Sequence, residues 1–188
     1  MLFTAPAQRI CGKVCGMGSS ATLSAKRLES HLKTLLGSLM ACQTKIDDRT
    51  ACNVFVARGL RLCYHRPDFC IPPTNPKADE DYVSANEIAN RAAEKWGFIG
   101  TGAQQSNLNQ AQDYANNGRP VIAVRAAHGH GHVCLILPGE LTASGTWGMD
   151  VPNSASFCLD SIAGCYIGRP LSYAFGPDKK STVLLYHK

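Results

Sequence analysis

From Ser24 to Thr44 the apolar residues Leu28, Leu32, Leu35, Leu36 and Leu39 recur three or four positions apart, with Lys26, Arg27, Glu29 and Lys33 between them. That period is one stripe of an α-helix, so a core-packing helix is expected here. A second helical pattern opens at Cys52 and carries Val54, Phe55, Val56, Leu60 and Leu62, ending near Leu62 or Cys63. Thr50 suits its N-cap, and Asp47 and Asp48 suit a helix start. Tyr64 to Asp79 holds Pro67, Pro72, Pro73 and Pro76, which predicts an irregular surface loop. Ser84 stands three residues before Glu87, the spacing of a capping box, so a helix is expected from Ala85 to about Lys95. Trp96 to Gly100 reads as a short buried strand or turn. Gln104 to Asn117 reads as a helix with Leu108, Ala111 and Ala115 inside, stopped at Asn117-Gly118.

The period then changes. Pro120 to Val124 and His132 to Leu137 are β-rich runs joined by the glycine-containing link Arg125 to Gly131, which predicts an antiparallel hairpin. Thr146 to Val151 is expected as a third strand, Cys165 to Ile167 as a short one and Thr182 to His187 as a terminal one. Helices first and strands later give an α+β class, with N-terminal helices packed on an antiparallel β-sheet. Residues 1–23 are rich in Gly, Ser and Ala and read as an arm, and 24–188 as a single domain.

Composition narrows the function. The chain has 188 residues, of which 45% are hydrophobic and 18% charged, a globular composition able to bury a core without staples. The net charge of +5 is spread without a basic run, so nucleic-acid binding is not indicated, although an anionic substrate or envelope would be favoured. No apolar run approaches the ~20 residues that span a bilayer. Met1 to Arg9 has no basic start followed by a long apolar stretch, so no Sec signal is expected. The chain is then made in the cytoplasm and either stays there or leaves without a cleaved signal. Nine cysteines leave at least one thiol unpaired if the rest pair. Their spacings hold no two CxxC motifs, so neither a structural zinc nor any other cofactor is expected.

Candidate chemistry sits at two element starts. A thiol opening a helix lies in the positive end of the helix dipole, which favours the attacking thiolate. Eighty residues later His128, His130 and His132 alternate with glycine. In extended backbone alternate side chains face one way, which raises a metal site, but no Asp, Glu or Cys ligand stands close in sequence. His132 is distinct because it begins an apolar strand. Cys52 as nucleophile and His132 as base would attack an amide or ester carbonyl. A third polar group would hold the imidazole tautomer, and Asp150 and Asn153 are candidates. Asn153 fits better, since Pro152 fixes the backbone before it and an amide adds no buried charge. His130, Asp150 and Trp147 are expected to line the substrate site.

The order of Cys on a helix, Gly-His-Val on a strand and a polar residue on the next strand resembles the papain-like NlpC-type cell-wall peptidases and amidases. The resemblance is closer still to the bacterial amidase effectors of type VI secretion systems. The segments that carry the resemblance are Thr50 to Val56, Gly118 to Val124, Gly131 to Gly139 and Ser144 to Ala155. They span most of residues 50–175 and leave 1–45 outside.

The resemblance implies a papain-like fold and hydrolysis of an amide bond in peptidoglycan stem peptides by an antibacterial effector. Cys52 matches the nucleophile and His132 the base, with Asn153 in the variable third position. The backbone N–H of Cys52 is the default oxyanion donor, with Gln43 as a possible assistant. The resemblance also implies secretion machinery, action in the periplasm of a target bacterium and a cognate immunity protein in the producer. Two rival classes stand beside it. One is a Cys–His acyltransferase or deamidase acting on a protein. The other is a non-enzymatic wall- or metal-binding module built on the histidines.

Overall fold

The computed structural model describes residues 24–41, 52–72, 81–158 and 162–188. The expected arm 1–23, the Thr50 cap, Asp47, Asp48 and Gln43 lie outside the described residues. The described residues hold four α-helices: α1 (Ala25–Ala41), α2 (Cys52–Tyr64), α3 (Ala85–Lys95) and α4 (Gln105–Asn116). All four were legible in the sequence, α1, α2 and α4 from their apolar positions and α3 from its capping-box spacing. The Ser84 Oγ accepts the Glu87 backbone N–H at 3.2 Å and caps α3 as its spacing predicts. Ser84→Ala is expected to cost about 1 kcal/mol and Ser84→Asp to restore it, measured by urea unfolding.

The described residues hold ten strands: β1 (Cys70–Ile71), β2 (Asp81–Tyr82), β3 (Gly97–Thr101), β4 (Val121–Arg125), β5 (His132–Ile136), β6 (Thr142–Ser144), β7 (Met149–Val151), β8 (Asn153–Ser156), β9 (Tyr166–Pro170) and β10 (Leu184–His187). Six of them make one antiparallel sheet in the order β3-β10-β4-β5-β8-β9. The class is therefore α+β with an antiparallel sheet, as the pattern predicts.

Three details differ from expectation. The proline-rich stretch contributes β1, which pairs with β2. Trp96 is buried as expected, but Gly97 and Phe98 on β3 are exposed, because β3 is an edge of the sheet. Of the expected third strand, Thr146 to Val151, only Met149–Val151 is extended, as β7, and it pairs with β6, which precedes the expected bounds, in a separate two-stranded sheet. The strand beside β5 is instead β8, whose small polar residues gave no apolar signal.

Strand alternation divides the core in two. Ile122, Val124, Val133, Leu135, Leu137, Ala155 and Phe157 pack toward α1, α2 and α3. Val121, Ala123, Cys134, Ile136 and Leu185 pack the other way, against α4, Trp147, Leu171 and Phe175. A residue on β5 therefore meets one of two environments according to its parity.

Candidate functional site

Helix α2 runs along β5 in the same direction. A Cβ at Gly59 would lie 2.9 Å from Leu135 Cδ1, and the Phe55 ring stacks on Phe157, which continues the β8 register beside Val133. Following α2 back from Gly59 to Phe55 moves from the level of Leu135 to that of Val133. Cys52, three residues further back, thus opens α2 at the level where His132 opens β5. Cys52 is 1% exposed and belongs to the core between α2 and the sheet. Burial pushes the nearby Cys134 thiol up, and the Cys52 sulfur adds to that.

His132 turns away from this core. It has the parity of Cys134 and Ile136, its ring stands edge-on to Phe175 at 5.2 Å, and its Nε2 meets Ser156 Oγ at 3.0 Å. Ser156 is fully buried on the face away from Ala155 and Phe157. The two residues share an end of the sheet; His132 meets Ser156 and Phe175 on the face away from α2, whereas Cys52 belongs to the core beneath α2. The physical reason is the two-residue period of β5, which sends Val133 and Leu135 to α2 and His132 with Cys134 away from it. Burial lowers the His132 imidazole to about 4, so the ring is neutral at neutral pH.

Asn153 does not orient His132. Its Nδ2 donates to Pro138 O at 2.9 Å and its carbonyl accepts the Leu137 N–H. That is the far end of β5, roughly 17 Å from its start at ~3.4 Å per residue. Its backbone N–H donates to the buried Gln112, whose Nε2 donates in turn to Leu137 O, so Asn153 locks β8 to α4. Ser156 holds the position beside the imidazole instead.

Trp147 does not face a substrate either. It is 2% exposed, and its Nε1–H donates to Phe175 O at 2.9 Å. Asp150 is exposed, but its backbone N–H and C=O are both bonded to Gln105 on α4, away from His132. His128 and His130 are exposed on the turn before β5. That turn is clasped by Asn86 of α3, whose Oδ1 accepts the Ala127 N–H and whose Nδ2 donates to Ala127 O. Gly131 is required there, because a Cβ would come within 2.5 Å of Asn86 Oδ1 and 2.7 Å of Arg125 O. Among the described residues no group of three or more His, Cys, Asp or Glu is arranged to hold a metal ion.

His132 lines a cavity of about 390 Å³ with Arg125, Ser156, Cys158, Tyr173, Phe175 and Lys179. Arg125 sits opposite His132 on β4 and its Nε donates to Thr182 Oγ1. The cavity thus joins a neutral imidazole, a hydroxyl, a thiol and two cations, a set suited to an anionic or carbonyl-bearing ligand. Sequence reasoning missed Ser156, Cys158, Arg125 and Lys179. The one available signal was the alternation Asn153-Ser154-Ala155-Ser156-Phe157, which puts both serines on the face opposite the apolar pair.

No family model matches the chain, and no curated protein matches it.

Proposed function

We propose that the chain is a cysteine hydrolase of the papain-like NlpC type that cuts an amide bond in peptidoglycan stem peptides. In this reading it is an antibacterial effector carried out by secretion machinery, active in the periplasm of a target bacterium and neutralised in its producer by an immunity protein. The observation that supports it is that Cys52 opens α2 and His132 opens β5 at the same end of one helix–sheet pair. The neutral imidazole takes the Cys52 proton, and the thiolate attacks the scissile carbonyl. The oxyanion falls to the Cys52 backbone N–H, the imidazolium protonates the leaving amine, and water then hydrolyses the thioester.

On this reading the imidazole exchanges Ser156 for the Cys52 thiol. Gly129, at φ 84° with open space around it, supplies the backbone freedom in the turn.

The test is digestion of purified sacculi and of one defined muropeptide, reading new amine-ended fragments by mass spectrometry. The wild type is expected to release stem fragments. Cys52→Ala is expected to release none while keeping the wild-type unfolding midpoint. No release by the wild type, with activity on a protein, would overturn the peptidoglycan reading in favour of an acyltransferase or deamidase. Cys52→Ala cutting at the wild-type rate while Cys158→Ala is dead would move the nucleophile to the thiol that shares the His132 cavity.

A further inference from the structure

Cys158 follows β8 and Cys165 precedes β9, on either side of the connection between these paired strands. The Cys165 sulfur lies 3.0 Å from the Cys158 carbonyl oxygen, to which it donates, and 3.3 Å from the Cys158 backbone nitrogen, from which it accepts. Both residues carry thiols and both are half-buried, whereas Cys52, Cys63 and Cys134 are sealed in the core. A sulfur so close to a cysteine's own backbone is within reach of that cysteine's sulfur by side-chain rotation, because a disulfide needs Cα atoms only about 4.4–6.8 Å apart.

We propose that Cys158 and Cys165 are an oxidation site that closes to a disulfide when the chain meets an oxidising disulfide. Cys158 lines the cavity and Cys165 does not, so the first attack is assigned to Cys158. As a thiolate it attacks one sulfur of a small disulfide R–S–S–R, and RS⁻ departs. The Cys165 thiolate then attacks the Cys158 sulfur of the mixed disulfide, and the second RS⁻ departs. Each RS⁻ takes up one of the two protons lost, so one small disulfide becomes two thiols and the chain becomes two hydrogens lighter. The link has a consequence for the His132 cavity. Ala163 and Gly164 line that cavity and lie inside the loop the disulfide closes, so oxidation removes a thiol from one wall and ties that wall to β8.

The experiment incubates the reduced full-length protein with oxidised glutathione and blocks remaining thiols by alkylation. Cleavage before aspartate then cuts the chain at Asp150, Asp160 and Asp178. This yields fragments 150–159 and 160–177, each with a single cysteine, Cys158 in the first and Cys165 in the second. The expected result is a linked pair of these fragments that dithiothreitol separates. In Cys165→Ser the linked pair disappears, and fragment 150–159 carries glutathione on Cys158. Separate fragments from the wild type, whether alkylated or glutathionylated, would overturn the proposal, as would either cysteine linked to any other. The readout is the link itself, so it stands or falls independently of peptidoglycan cleavage.

Discussion

His132→Gln is expected to flatten the acid side of the stability curve and, on the proposed function, to slow turnover. Burial holds the imidazole near 4, against an ordinary value of 6.5. Between those two values the unfolded chain binds a proton that the folded chain refuses. Stability of the wild type is therefore full above about pH 6.5 and falls as pH drops toward about 4, below which this residue adds no further slope. The full difference corresponds to about 3 kcal/mol. Glutamine fills similar space, can still bond Ser156 and does not titrate, so its curve should lack this slope. Urea midpoints of both proteins at pH 7 and pH 4 measure the difference, and parallel curves would show that His132 is not held neutral. On the proposed function, loss of the base should lower muropeptide turnover by about 10²–10⁴-fold. A variant as active as wild type would remove His132 from the reaction altogether.

Trp147→Ala is expected to cost about 3–5 kcal/mol of stability, the range for truncating a buried indole. Among the described residues Trp147 is the largest side chain buried to this degree, packed among the residues that cover the α4 side of the sheet. A Cβ at Gly102 would lie 3.0 Å from its ring, Lys180 Nζ donates to its carbonyl, and its Nε1–H satisfies the Phe175 carbonyl. Truncation leaves a void and strands that carbonyl. Phe175 in turn holds the edge of the His132 ring, so the damage reaches the cavity. Trp147→Phe keeps most of the ring and loses mainly the Nε1–H bond, worth about 1 kcal/mol. Were Trp147 a substrate contact, as its place in the sequence suggested, alanine would raise KM and leave the unfolding midpoint alone.

The helices and the central hairpin were legible because each side chain's burial follows a local period. Leu28, Leu32 and Leu39 report a helix face wherever the helix packs, and Ser84 announces its own cap through the residue three positions on. Strand β8 was not legible. Asn153, Ser154, Ala155 and Ser156 carry little apolar signal, yet Ser154 and Ser156 are fully buried because Tyr166 and His132 satisfy their hydroxyls. Polar satisfaction by distant partners is invisible to a local period. The same blindness made Asn153 look like a partner for His132, since closeness in sequence to the next strand does not say which end of that strand meets the imidazole.

By itself the sequence determined the α+β class, the four helices, the hairpin, and a thiol and an imidazole at two element starts. All of these follow from propensity and spacing along a single segment. Only the tertiary structure decided which face each of those groups meets. It set His132 against Ser156 and Phe175, buried Trp147 as packing, and gathered Arg125, Cys158 and Lys179 from separate segments around one cavity. Strand register and helix docking fix these neighbours, and both depend on contacts between residues far apart in the chain.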